Sequence, residues 1–222
     1  VMTYFDTHCH LNGPRFADDL TDTIDRAQSA GVTRMMTIGI DLDSSVQCQK
    51  IAQQHDGIYA AVGIQPNCAH ETNPNDWDEI VALLDKPGVI ALGETGLDRY
   101  WDDCPFEVQE DYFDRHLRLS QQRQLPFVVH MRECGEDVLR MLTEARQRGP
   151  INGVMHSFTG DVELMEACVD LGMYISFAGM VTFKKSDALR EVARQVPDER
   201  LMIETDAPYL SPEPMRKQRR NE

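Results

Sequence analysis

Residues 5–10 read Phe5-Asp6-Thr7-His8-Cys9-His10. A short apolar start leads into two histidines one residue apart. In an extended strand alternate side chains share a face, so His8 and His10 project together while Cys9 points the other way. Two imidazoles side by side at a strand end suit one metal ion. Taken alone, the pair is no more than a feature any surface strand can carry. Its meaning depends on what the other strands bring to the same end.

Working outward, short apolar runs alternate with segments of helical spacing. Strands are expected at residues 4–6, 34–40, 58–64, 89–93, 126–130, 153–156, 174–177 and 201–204. Helices are expected at 18–30, 43–55, 75–84, 106–123, 133–148, 162–171 and 186–195, the second capped by Asp43 or Ser44. The strands are apolar on both faces, as in a parallel sheet covered by helices. Eight strands recurring every ~25–30 residues are the mark of repeated βαβ units and favour a closed (β/α)8 barrel over an open sheet. No eighth helix follows the last strand, so the reading is a single barrel domain over residues 1–222 with its last helix missing.

Composition agrees with one soluble globular domain. The chain has 222 residues, 41% hydrophobic and 27% charged, without a low-complexity tract. No apolar run approaches the ~20 residues that cross a bilayer. The N-terminus lacks the basic start and apolar centre of a secretion signal, which points to the cytoplasm. Six cysteines without Cys-x-x-Cys spacing are expected as reduced thiols. A net charge of −15 argues against a broad electrostatic grip on duplex nucleic acid. A phosphodiester substrate stays possible, because bound divalent ions invert the local field of a carboxylate-lined pocket. The one dense basic run, Arg216-Lys217-Gln218-Arg219-Arg220, is read as a solvated tail unless it folds back on the site.

The strand ends carry the chemistry. His8 and His10 close the first strand, Glu94 follows the fourth, His130 ends the fifth, His156 ends the sixth and Asp206 follows the eighth. In a (β/α)8 barrel these ends converge on one face, where active sites sit. Each residue alone has an ordinary explanation: a strand-end histidine, a loop cap, a turn aspartate, or a Glu94–Arg99 pair. Six ionisable groups converging from five strands are costly unless something binds them. Imidazole and carboxylate together suit zinc, manganese or magnesium. Six ligands exceed one catalytic zinc and match two divalent ions sharing a carboxylate. His55, His70 and His116 lie away from strand ends and are read as structural or surface residues. Arg132 is placed to pair with a phosphate, its alternative being an ion pair with Glu133 or Asp98. Glu204 is either a hydrogen-bond partner behind the site or an orienting group.

These segments resemble a known family. Asp6-Thr7-His8-Cys9-His10-Leu11, Gly93-Glu94-Thr95-Gly96-Leu97-Asp98, His130-x-Arg132, His156-Ser157-Phe158-Thr159-Gly160 and Glu204-Thr205-Asp206-Ala207-Pro208-Tyr209-Leu210 are similar, in order, to the TatD-type metal-dependent deoxyribonucleases of the amidohydrolase superfamily. The resemblance implies a TIM barrel of the metal-dependent hydrolase type. It implies His8, His10 and Asp206 on one metal, His130 and His156 on the other, and Glu94 bridging them. It also implies phosphoester cleavage, with DNA (single strands or 3′ ends) as substrate in a 3′→5′ exonuclease reaction. Residues 216–222 resemble the loop before the family's final helix. One departure is Gln65, in Gly63-Ile64-Gln65-Pro66-Asn67, where many members carry histidine; Gln65 can bond a substrate oxygen but is no useful proton donor.

The mechanism expected is hydrolysis by a metal-activated water, with Asp206 taking the proton, Glu94 bridging, and Arg132 and Gln65 on the substrate. Two alternatives share the site: a hydrolase acting on a carboxylic or aminoacyl ester, lactone or amide, and a non-catalytic metal-binding scaffold. Neither a membrane nor an obligate protein partner is indicated.

Overall fold

The computed structural model describes residues 2–217 and 220–222. Eight strands form one sheet in the order of the chain: β1 (Tyr4–Cys9), β2 (Val32–Ile38), β3 (Ile58–Val62), β4 (Val89–Asp98), β5 (Phe127–Arg132), β6 (Gly153–Met155), β7 (Tyr174–Phe177) and β8 (Leu201–Ile203). Every pairing is parallel. Seven α-helices stand between them: α1 (Leu20–Ser29), α2 (Leu42–Gln54), α3 (Asp76–Leu83), α4 (Phe106–Arg123), α5 (Gly135–Arg148), α6 (Val162–Asp170) and α7 (Asp187–Gln195). This is the (β/α)8 barrel that the spacing predicts.

Two apolar layers hold it. One cluster takes side chains from every strand, including Phe5, Met36, Ile38, Ala61, Val128, Val154, Tyr174 and Met202, and fills the barrel. The other lies between strands and helices, where Val62, Leu92, Val129 and Ile175 meet Ile80, Phe113, Leu142 and Met165. The sheet closes at its upper end, past β8. Asp206 N–H donates to the His8 carbonyl (2.9 Å) and His10 N–H to the Ala207 carbonyl (2.7 Å). The Asp6 carboxylate accepts from Thr205 N–H (2.9 Å) and from the Thr205 hydroxyl (2.6 Å). Burial pushes the Asp6 carboxyl up to about 6 in spite of those bonds.

Several boundaries differ from expectation, each for a local reason. β4 runs on through Glu94 to Asp98, so Glu94 lies inside a strand instead of beyond it. Gly96 allows this: at φ +130° beside β5, any Cβ would overlap the His130 carbonyl oxygen. α5 starts at Gly135, because Glu133 has φ +56° and lies outside the helical region. α2 is capped by Asp41, not Asp43 or Ser44. Ser44 is instead the partner in a capping box, with its N–H 2.7 Å from Asp41 Oδ1.

The basic end is solvated only in part where it is described: Arg216 and Lys217 are exposed, while Arg220 is partly buried. Arg216 covers the Phe183 ring at 4.0 Å, and Arg220 pairs with Asp19 and Glu222. The Asn221 amide donates to the Thr205 and Tyr209 carbonyls, both at 2.9 Å, tying this segment to the loop that carries Asp206. Gln218 and Arg219 lie outside the described residues. No described helix is long and apolar enough to cross a membrane. All six cysteines are unpaired thiols.

Candidate metal centre

All six expected ligands meet at the C-terminal end of the barrel. Glu94 is the hub. Its Oε1 lies 2.9 Å from His130 Nδ1 and 3.2 Å from His156 Nε2, and its Oε2 lies 3.6 Å from His8 Nε2. Asp206 Oδ1 lies 3.5 Å from His10 Nε2 and 3.7 Å from His8 Nε2. The rings of His8 and His156 stack at 3.9 Å. Two compact donor sets result, His8–Glu94–His156 and His8–His10–Asp206, the atoms of each within 4.8 Å of one another. His130 stands outside both sets but touches Glu94 directly.

Local backbone aims these groups. Ser157 and Asp206 adopt φ +44° and +53°, in the left-handed region that few non-glycine residues enter. Such conformations cost roughly 1–3 kcal/mol and gather at functional sites. They turn the chain sharply after β6 and β8, beside the two groups that those strands deliver.

Behind the ligands, fixed acceptors set the tautomers. His10 Nδ1–H donates to the Ile38 carbonyl (3.1 Å), leaving the Nε2 lone pair facing the cluster. His130 Nε2 lies 2.7 Å from Asp98 Oδ2, leaving Nδ1 facing Glu94. His156 Nδ1 lies 3.3 Å from Glu204 Oε1, which also accepts from Ser157 N–H (2.7 Å). Glu204 is thus the hydrogen-bond partner behind His156. Asp98 stands in the same way behind His130, a partner that its place beside Arg132 does not reveal. The signal was present: Asp98 lies four residues after Glu94 on one strand, hence on the same face.

Burial opposes every charge here, and neighbours decide the outcome. Burial alone would raise the Glu94 carboxyl, but the His156 and His130 imidazoles hold it well below its ordinary value. Burial would lower His130 and His156, yet their carboxylate partners raise both. His8 is driven down by burial and by the His156 imidazole. Desolvation likewise opposes the ionised form of Asp98, but the bonds from His130 and Asn67 bring it down to about 2.

These residues fit divalent metal. The donor set mixes imidazole nitrogen with carboxylate oxygen, and the lone-pair faces of several imidazoles converge. Asp206 Oδ1, which faces His8 Nε2 and His10 Nε2, is buried with no hydrogen-bond partner among the described residues. Buried polar atoms are seldom left so.

The remaining expected residues separate. Arg132 is exposed at the end of β5, and among the described residues it pairs with neither Glu133 nor Asp98. Its guanidinium instead lies 3.6 Å from the Tyr100 ring centroid. Gln65 turns its amide oxygen to Asn67 N–H (2.9 Å), capping the short 3-10 turn Pro66–Glu71, which leaves its NH2 group free to donate to a ligand. Arg99 pairs with Asp137, not Glu94. His116 is structural as expected: Nδ1 meets the Tyr112 carbonyl (2.7 Å) and Nε2 accepts from Ile64 N–H (3.1 Å).

A family described as TatD related DNase matches the chain over residues 5–222. The chain belongs to that family. Among TatD-family relatives, the metal-dependent hydrolase YabD of Bacillus subtilis is 37% identical over 215 residues, covering 97% of this chain and 84% of its own. The 3′-5′ ssDNA/RNA exonuclease TatD of Citrobacter koseri is 36% identical over 222 residues, covering 98% and 85%. The solved structure of YjjV, a TatD homologue from Escherichia coli K12, superposes with a TM-score of 0.91 at 29% identity, covering 98% of this chain and 84% of that one. The chain is therefore a metal-dependent hydrolase of the TatD family.

Proposed function

We propose that the protein hydrolyses phosphodiester bonds of single-stranded nucleic acid, DNA foremost, from the 3′ end, using two divalent ions from among magnesium, manganese and zinc. The carrying observation is the division of Glu94, one oxygen toward His130 and His156 and the other toward His8. Glu94 would help hold the ions together with His8, His10 and Asp206 on one side and His130 and His156 on the other. Bound ions would supply Lewis acidity, polarising a phosphoryl oxygen and bringing the pKa of a water toward neutrality. The substrate class follows the exonuclease named among the relatives.

The chain's own residues divide the rest. The Asp206 carboxylate, which would also hold an ion beside His8 and His10, would accept the proton of the attacking water and return it to the leaving oxygen. Asp98, Glu204 and the Ile38 carbonyl hold three imidazoles in the ligand tautomer. Arg132 takes a phosphate oxygen, and the Gln65 NH2 group a further substrate oxygen. The six unpaired thiols suit a reducing, cytoplasmic setting.

The test uses a 5′-labelled single-stranded oligodeoxynucleotide with each ion in turn and Asp206→Asn as control. The expected result is a ladder shortening from the 3′ end, lost in the variant. Intact oligonucleotide with all three ions, alongside turnover of a lactone or carboxylic ester, would overturn the substrate assignment.

A further inference from the structure

Just past the end of β4 stand two aromatic rings to which the proposed hydrolysis gives no part. Tyr100 and Trp101 follow it closely, and their side chains are 48% and 50% exposed. Their rings meet edge to face with centroids 4.9 Å apart. The Arg132 guanidinium covers the Tyr100 ring at 3.6 Å and lies 5.7 Å from that of Trp101. A large aromatic pair left in water at the active end of the barrel is an exposed apolar patch that invites a ligand.

The pair is also built into the metal centre. Asp98 Oδ1 accepts the backbone N–H of Tyr100 (2.8 Å) and of Trp101 (3.1 Å). Its other oxygen meets His130 Nε2 (2.7 Å) and the Asn67 amide (3.1 Å). One buried carboxylate thus sets both a metal-facing imidazole and the backbone beneath two exposed rings. The backbone that carries the two rings is thereby tied to the carboxylate that orients His130.

Their chemistry selects a ligand. Arg132 already covers Tyr100, and the half-exposed Trp101 ring beside that guanidinium suits an unpaired nucleobase, with the indole taking the base and the cation its phosphate. On a chain of net charge −15, a cation held at this position is a specific aid to a polyanion.

We infer that Tyr100, Trp101 and Arg132 form a stacking platform for a base flanking the scissile phosphate. The platform makes the enzyme select unpaired nucleotides, because a duplex keeps its bases stacked on each other. The inference rests on the nucleic-acid reading above.

The experiment compares single-stranded oligodeoxynucleotides that carry either a base or an abasic unit on each side of the scissile bond. The parent enzyme is expected to prefer the base-bearing strand by about 5- to 100-fold in kcat/KM at one of those positions, as one stacked base provides. In Trp101→Ala that preference falls below about twofold with the loss carried by KM, and Trp101→Phe regains most of it. Equal preference in the parent and Trp101→Ala, or no preference in the parent, overturns the platform while the nuclease reading stands. A parent that cuts neither strand with any of the three ions refutes the nuclease reading itself. A second readout needs no turnover. In an Asp206→Asn, Trp77→Phe background Trp101 is the only tryptophan, and added oligonucleotide should quench its fluorescence. Binding without quenching overturns the platform.

Discussion

Replacing Asp98 by asparagine should weaken metal binding through the tautomer of one histidine. In the native site Oδ1 of Asp98 accepts two backbone N–H groups, and Oδ2 faces the Nε2 of His130 and the NH2 of Asn67. An asparagine has one acceptor oxygen. It must turn that oxygen to Tyr100 and Trp101, since the reverse sets an NH2 group against two fixed donors. Its NH2 then faces His130 Nε2, now 2.7 Å from a donor, and the imidazole must move its proton to Nδ1. Nδ1 is the atom 2.9 Å from Glu94, on the side where the ligands converge. Loss of such an orienting partner typically costs 10–100-fold in metal affinity or activity, about 1.4–2.7 kcal/mol. The assay is competition for Mn2+ or Zn2+ against a chromogenic chelator, with circular dichroism and thermal midpoint confirming the fold. Affinity within about twofold of the parent in a folded Asp98→Asn protein would refute the tautomer argument.

Three further outcomes are expected. Burial pushes His116 down to about 4 from its ordinary 6.5, so its contribution is complete above pH 6.5 and is lost as pH falls toward 4, by about 3 kcal/mol. Urea unfolding across that window should show the loss in the parent and not in His116→Gln; a parent-to-variant difference independent of pH would contradict it. Gly96→Ala forces a Cβ onto the His130 carbonyl at φ +130° and should cost at least about 1–3 kcal/mol in urea. An unchanged midpoint would mean that β4 and β5 do not approach as described. Stripping divalent ions with a chelator should lower the thermal midpoint, and restoring an ion at 100 times its Kd should return about 2.7 kcal/mol. The double variant His8→Ala, His10→Ala should lose much of that response while still folding; a full response would place the ions elsewhere.

The barrel and the six-residue cluster could be read without coordinates, for one physical reason. Parallel βαβ repetition sends every strand's C-terminal end to the same face, so residues that end strands must meet. His8, His10, Glu94, His130, His156 and Asp206 all lie at strand ends in the sequence, and they converge. Strand limits were less legible. Glu94 looks like the start of a loop because Gly-Glu-Thr-Gly breaks the apolar run, yet β4 continues to Asp98, since those glycines let it pass close to β5.

What only the tertiary structure decided is the set of partners behind the ligands. Asp6 is bonded to Thr205 across 199 positions, Glu204 to His156 across 48, and Asp98 to His130 across 32. Local pattern marks which side chains are polar and which way a strand presents them. It does not say which distant group satisfies them. The same holds for Arg132, whose residue type suits a carboxylate or a phosphate and whose guanidinium covers Tyr100, and for Gln65, whose amide oxygen caps a turn. The sequence by itself determined the chemistry available at the barrel mouth. Packing determined which nitrogen of each histidine faces the centre and which rings stand beside it, because a buried hydrogen bond is chosen by its neighbours in space.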